Sequence, residues 1–396
     1  ADAVFELPVR YACSSAGTFA EGGVSALNSL GAVSGISFGC EDADLDALMN
    51  LATFLEDEPE EYRELLLGNI RQGMNFAKAR GNALSSVLPP SISTLLDKPN
   101  NILAVEYLRA MSRSSSKLVP YAVARTGKGH NESASAIRRE LLKRSCGTRP
   151  CDFSLSNPYR QDRTECKKDM EPCDLTLSNT CRQDRTDCKK DMEPCDFSLS
   201  NPTKTDEMPD TSVLQAMLPG YVQETLSHPL FPDDFSALLL YRLRLLSDDE
   251  LSLFDDISPE LAKSIKKASS SANSFSELVH GVSSRTYTDS RIRRALIHIL
   301  LDLRKHVLPA ETYTGEVSAK PAPMKPGLRL LGFRRGTRVL RAIQDAASIP
   351  IITKAADAPE GCLDEDILAA DIYRLAYMER FKEALPDEYH QGPVMV

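Results

Sequence analysis

The sequence predicts an α/β protein, with a mostly parallel sheet clad in helices up to about residue 145 and a mainly helical region after it. Strand-like apolar runs alternate with helical ones in the first part, the pattern of parallel strands joined by helical crossovers. From about residue 211 apolar side chains recur at three and four, as in amphipathic helices packed on one another. Between them, residues 146 to 210 follow neither pattern. In parallel sheets of this kind ligands sit outside the carboxyl ends of the strands.

Taken in order, "AVFELPV" reads as a strand reaching from Val4 to Val9, "AGTFAEGGVSALNSLG" as a helix closed by Gly31, and "VSGISFG" as a strand ending at Gly39. "DLDALMNLATFLE" gives a helix, and an acidic loop leads into "EEYRELLLGNIRQGMNFAKARGNAL". Pro99 opens a helix that places Ile102, Leu103, Val105, Leu108 and Met111 near helical spacing, and "KLVPYAVART" is a further strand. The helical region comprises "SVLQAMLPGYVQETL", "DFSALLLYRLRLLSDDELSLF", "SPELAKSIKKASSSANSFSELVHGVSS" and "TDSRIRRALIHILLDLRKHV". A last unit holds "PGLRLLGF", a helix from about Arg335 to Ala347, "IPIITK", and a final helix around "ILAADIYRLAYMERF".

The middle segment is a tandem repeat. "PCDFSLSNPYRQDRTECKKDME" (150–171) is followed by "PCDLTLSNTCRQDRTDCKKDME" (172–193) and then by "PCDFSLSNP". Barely two and a half copies, each charged and poor in apolar residues, fall short of a solenoid. The segment reads as a disordered loop expansion. Seven of the ten cysteines lie in it, between Cys146 and Cys195. They lack Cys-x-x-Cys spacing, so no metal site is expected. Cys13, Cys40 and Cys362 read as reduced thiols.

The net charge of -9 excludes a protein coated in basic surface but not a local basic patch. Residues 40 to 64 carry ten acidic side chains and one arginine, whereas Lys320 to Gln344 carries seven basic residues and no acid. "SSRTYTDSRIRR" adds Arg285, Arg291, Arg293 and Arg294, with Tyr287 among them. Each stretch alone reads equally well as a solvated helix face. Two in one acidic chain favour a polyanion surface, with RNA as the partner. No apolar run is long enough to span a membrane and no signal pattern opens the chain, which predicts a cytoplasmic protein without a membrane partner.

One further stretch, "GKGHNESASAIRREL" (127–141), sets Ser133, Ser135 and Arg138 before a helical run. It reads either as a helix cap followed by a surface arginine or as an anion site at a helix N-terminus.

Seven motifs resemble one family in order: "ELPVRYACSSAGTFAEGGVSALNSLGA", "ISFGCE", "KPNNILAVEYLRAM", "SASAIRREL", "YTDSRIRRALIHILL", "LRLLGFRRGTRVL" and "IPIITK". The family is that of the bacterial tRNA(Met) cytidine acetate ligases (TmcAL), and the resemblance covers nearly all of the chain outside the repeat. It implies a nucleotidyltransferase-like (Rossmann-like) ATP-binding domain over residues 1–145, the repeat insertion over 146–210, and a helical, tRNA-binding region over 211–396. It implies that ATP, with Mg2+, activates acetate as acetyl-adenylate, and that the acetyl group passes to N4 of the wobble cytidine of elongator tRNA(Met). No DNA partner is implied. By position in the family pattern, Gly39, Asn100, Arg125 and Thr126 are ATP contacts, and Asn101, Ser133, Ser135 and Arg138 are further phosphate candidates. The basic stretches supply Arg291, Arg293, Arg294, Arg334, Arg335 and Arg338 for tRNA.

The family's His-x-Gly-His signature, whose histidines bind phosphate in the transition state, has no counterpart among His130, His228, His280, His298, His306 and His390. No catalytic residue is therefore named. The expectation is a chain that lacks the family's first strand and loop, the remainder of something longer. Two other readings compete. One is a catalytically inactive tRNA-binding remnant. The other is a nucleotidyltransferase with a small-molecule acceptor, which leaves the basic stretches without a purpose.

Overall fold

The structure, a computed structural model, describes residues 1–125, 137–138, 141–142, 227–284, 286–305 and 327–396. The repeat, the helix expected over "SVLQAMLPGYVQETL", and Thr126, Ser133 and Ser135 lie outside the described residues. Ala1–Lys128 with Leu230–Val396 form one compact unit, and Gly129–Pro229 a second. Of the second, Ile137, Arg138, Leu141 and Leu142 are helical, with Arg138 exposed.

In the first unit, β2 (Gly35–Cys40) and β3 (Val119–Ala124) pair in parallel, in register from Gly35 opposite Val119 to Cys40 opposite Ala124. Alternation along β2 turns Ile36, Phe38 and Cys40 into the core. There they meet α2 (Ala16–Ser29), α3 (Leu45–Asp57) and α7 (Pro99–Arg113) in one apolar cluster. Phe38 stacks on Tyr107 of α7 with ring centroids 5.8 Å apart. Arg109, also on α7, reaches Glu56 at 2.6 Å and so ties α7 to α3. The helical stretch after the acidic loop divides into α4 (Glu60–Arg71) and α5 (Phe76–Val87), because Gly73 turns the chain at φ +81°. A short α6 (Pro90–Ser93) precedes α7. The other face of β3 is open among the described residues, with Val119, Tyr121 and Val123 exposed.

The opening strand differs from the sequence reading. It spans Ala3–Phe5 (β1) and not Val4 to Val9, because Pro8 stands at the N-cap of α1 (Val9–Ala12) and turns the chain into a helix. Nor does it join β2 and β3. It pairs antiparallel with β4 (Leu328–Phe333), which also takes β5 (Ile351–Ile352) and β6 (Val394–Met395) in parallel. The two ends of the chain thus build a second small sheet together.

The helical region comprises α8 (Ser236–Leu245), α9 (Asp248–Leu251), α10 (Pro259–Ser269), α11 (Phe275–Val282) and α12 (Asp289–Leu300) around a core of its own. The run from Asp234 to Phe254 breaks at Ser247, whose hydroxyl accepts the Glu250 N–H while the Glu250 carboxylate accepts the Ser247 N–H. His298 of α12 is 2% exposed and sets its two ring nitrogens against the carbonyl oxygens of Asp255 (2.9 Å) and Cys13 (3.0 Å). Arg10 of α1 bridges Asp255 at 2.9 Å and pairs with Glu365, so the N-terminal segment is locked to the helical core. The last helices are α13 (Val339–Ala346) and α14 (Asp364–Phe381). α13 begins later than Arg335 because Gly336, at φ +81°, completes a turn first. No described helix is long and apolar enough to cross a membrane.

Candidate functional site

A cavity of about 870 Å³ opens at the carboxyl ends of β2 and β3. Its apolar wall includes Phe19 of α2, Leu103 and Tyr107 of α7, and Val339 and Ile343 of α13. Its polar lining comprises Asp2, Glu6, Ser37, Asn100 and Arg125, with Gly39 beside the last of these. Three of the four sequence-named ATP contacts therefore meet on one surface, in the size range of small-molecule sites.

Local folding explains each position. Gly39 is the last residue but one of β2 and leaves its face bare, and a Cβ placed there would sit 3.7 Å from Arg125 Cγ. The backbone N–H of Arg125 donates to Cys40 O at 3.0 Å, extending the ladder past β3 and holding the Arg125 main chain beside the end of β2. Arg125 is exposed, and no described carboxylate pairs with it. Asn100 follows Pro99 in the first turn of α7.

Behind these residues lies a network that sequence reasoning missed. Asn100 Nδ2 donates to Glu41 Oε1 at 2.6 Å, and the Asn101 backbone N–H donates to Glu41 Oε2 at 3.1 Å. Asn101 itself is 0% exposed. Its Oδ1 accepts the backbone N–H groups of Glu41 (3.0 Å) and Asp42 (3.1 Å), and its Nδ2 donates to Asp42 Oδ2 at 2.8 Å. Lys98 closes the ring, 2.7 Å from the same Asp42 oxygen. Asn101 thus stands outside the cavity wall, with its amide spent on fastening the end of β2 to the start of α7. The hydrogen bonds from Lys98 and Asn101 hold the Asp42 carboxyl below its usual range, and the bond to Asp42 raises Lys98. Burial, then the charges of Glu41 and Asp42, push the Cys40 thiol up, which disfavours its thiolate. In the sequence Glu41 and Asp42 stand out only as members of an acidic run. The signal available in the sequence was their place at a strand end, the position from which ligands are approached.

The two arginine clusters differ. Arg294 Nε pairs with Asp256 at 2.9 Å, and Arg291 lies over the Tyr287 ring at 5.3 Å while reaching Asp256 O at 3.4 Å. Both are half-buried, as is Arg293. Arg334, Arg335 and Arg338 are exposed. Among the described residues the Arg334 guanidinium has one ion pair, a 3.5 Å contact to Asp2, and Arg335 and Arg338 have none. Their turn leads straight into α13, whose Val339 and Ile343 line the cavity. Among the described residues no group of three or more His, Cys, Asp or Glu comes together as a metal site.

A family model described as HIGH nucleotidyl transferase matches residues 1–194 and 198–387. The tRNA(Met) cytidine acetate ligase of Thermoanaerobacter sp. (strain X514) is 32% identical over 391 residues, which are 95% of this chain and 80% of that one. The chain belongs to the tRNA(Met) cytidine acetate ligase family. A second relative, from Caldanaerobacter subterraneus subsp. tengcongensis, is 30% identical over 404 residues, covering 98% of this chain and 83% of its own. The fold is similar to that of Thermotoga maritima TmcAL solved with alpha-thio ATP, at TM-score 0.72 and 22% identity over 100% of this chain and 84% of that one. The family match holds although the 396 residues contain no His-x-Gly-His.

Proposed function

We propose that this chain binds ATP in the cavity at Gly39, Asn100 and Arg125 and serves the acetylation of the wobble cytidine of elongator tRNA(Met), in the cytoplasm. The observation that carries the reading is the convergence of those three residues at the carboxyl ends of two parallel strands, in a member of this family. In the first step an acetate oxygen attacks the α-phosphorus of ATP and pyrophosphate leaves, giving acetyl-adenylate. In the second the cytidine N4 attacks the acetyl carbon, AMP leaves with the electron pair, and N4 loses a proton to give N4-acetylcytidine. The Arg125 guanidinium, without an ion pair among the described residues, suits the charge that grows on the departing pyrophosphate. Gly39 lets the nucleotide approach backbone. Mg2+ accompanying ATP would be held mainly by phosphate oxygens and water, the usual arrangement for this ion with nucleotides. The exposed turn of Arg334, Arg335 and Arg338 beside α13 suits the RNA backbone. Thr126 remains an ATP contact of the same reading, and Ser133, Ser135 and Arg138 remain its phosphate candidates by family pattern.

A second reading is favoured by one observation, the absence of His-x-Gly-His from the sequence. It is a tRNA-binding member of the family that does not form the adenylate. Titration with ATP and with tRNA(Met), followed by acetate-dependent ATP–pyrophosphate exchange, separates the two. Binding of both with exchange supports the ligase, and binding of tRNA without exchange supports the second reading.

A further inference from the structure

Asn100 faces two ways. Asn100 lines the cavity, yet its side-chain amide nitrogen is held by Glu41, which is not part of the cavity wall. Both Glu41 carboxylate oxygens act as acceptors, one for Asn100 Nδ2 and one for the Asn101 backbone N–H. A side-chain amide has two opposite ends, an NH2 that donates and an oxygen that accepts. Only the donating end is compatible with Glu41. Turning the amide over would set two acceptors face to face at hydrogen-bonding distance.

We propose that Glu41 is a positioning residue that pins Asn100 with its carbonyl oxygen as the group offered to the cavity, so that Asn100 reads a hydroxyl or amine donor of the nucleotide, on ribose or base, and not the phosphate chain. The proposal rests on the nucleotide reading of the cavity and assigns a direction within it. A phosphate oxygen near Asn100 would meet the carbonyl oxygen, an unfavourable pairing of acceptors. Its other route is the second hydrogen on Nδ2, and there it would approach a nitrogen already facing the Glu41 carboxylate, so like charges would meet. The phosphates accordingly fall to Arg125 and the bare end of β2. Asn101 and Asp42 keep the device rigid, because they fix the backbone of Glu41 itself.

The test uses the full chain and calorimetric titration with ATP, 2′-deoxy-ATP, 3′-deoxy-ATP, inosine triphosphate and inorganic tripolyphosphate. In the unmutated chain, at least one of the three analogues lacking a donor should bind about 3- to 10-fold more weakly than ATP, the range of one hydrogen bond. That discrimination should vanish in Asn100→Ala. It should shrink in Glu41→Gln, whose amide lets Asn100 turn either end to the cavity. Tripolyphosphate affinity should be unchanged in both variants and should fall in Arg125→Ala. Equal binding of ATP and all three analogues overturns the proposal while leaving the nucleotide site intact. So does a loss of tripolyphosphate affinity in Asn100→Ala with discrimination undisturbed. Failure of the unmutated chain to bind either ATP or tripolyphosphate overturns the nucleotide reading and this proposal with it. The analogue series needs no variant, so misfolding of a mutant cannot shield the idea.

Discussion

Asn101 and Asp42 hold each other twice, the Asn101 Oδ1 accepting the Asp42 backbone N–H at 3.1 Å and the Asn101 Nδ2 donating to the Asp42 carboxylate at 2.8 Å. The pair joins the loop after β2 to the first turn of α7, with Asn101 fully buried. Asn101→Ala would strand two backbone N–H groups, each worth about 1–3 kcal/mol when buried without a partner. A loss of about 2–4 kcal/mol in urea unfolding is expected. The Asp42 carboxyl is held below its ordinary 3.8, so its contribution to stability is complete above that value and is lost as pH falls through the lower, folded value. Asn101→Ala should flatten this acid limb. An unchanged urea midpoint would show that the network is ornamental.

Asp366 behaves in the opposite sense. Burial pushes its carboxyl up to about 6, with Glu6 and Glu365 adding to the rise and the Val9 N–H, donated at 2.6 Å, opposing it. A folded value above the unfolded one means that the folded chain holds the proton more tightly. Stability from this group is therefore present at low pH and declines as pH rises from about 4 through about 6. Asp366→Asn keeps an acceptor for Val9 and removes the charge. The variant should gain on the order of 1–3 kcal/mol relative to the parent between pH 5 and pH 8. Equal gains at both pH values would locate the effect elsewhere.

The arginine clusters should separate in experiment. Replacing Arg334, Arg335 and Arg338 with alanine removes three exposed cations and should leave the melting temperature nearly unchanged. It should weaken tRNA(Met) binding, and each lost phosphate contact should lower the slope of log K against log salt by roughly 0.7 to 0.9. Arg291→Ala and Arg294→Ala instead break the stack on Tyr287 and the pair with Asp256. Their main effect should be on stability, by about 0.5–2 kcal/mol. A neutral 334–338 variant would put the RNA surface elsewhere.

The contrast between the clusters also marks what was legible in sequence. The β2 strand and helix α7 follow from local alternation and spacing, because both bury one face on a single core. The partner of β1 does not, since β4 lies more than three hundred residues away and a strand pattern carries no address. Gly39, Asn100 and Arg125 could be named from the family pattern, but Val339 and Ile343 could not be placed on the same cavity, for the same reason of distance. Arg294 looked as free as Arg335, because its partner Asp256 is 38 positions upstream and a charge run does not show what neutralises it. Glu41 was hidden by its own neighbours, one acid in a run of acids.

Binding and chemistry should come apart at the proposed nucleotide site. Arg125→Ala removes an exposed guanidinium at the carboxyl end of β3, and hydrogen bonds to charged groups contribute about 1.5–3 kcal/mol, so ATP affinity should fall about 10- to 100-fold. tRNA affinity should be unaffected, because the turn that carries Arg334, Arg335 and Arg338 is left intact. The unmutated chain, meanwhile, should show little or no acetate-dependent ATP–pyrophosphate exchange. Its 396 residues hold no His-x-Gly-His, and losing one donor that acts in a transition state typically costs about 10²- to 10³-fold in rate. Two such donors missing together would bring exchange close to background even with ATP bound. The measurement is exchange of labelled pyrophosphate into ATP, run beside a relative that carries the signature. A rate within tenfold of that relative would mean that other residues of this chain, with Arg125 the first to test, supply the phosphate stabilisation unaided.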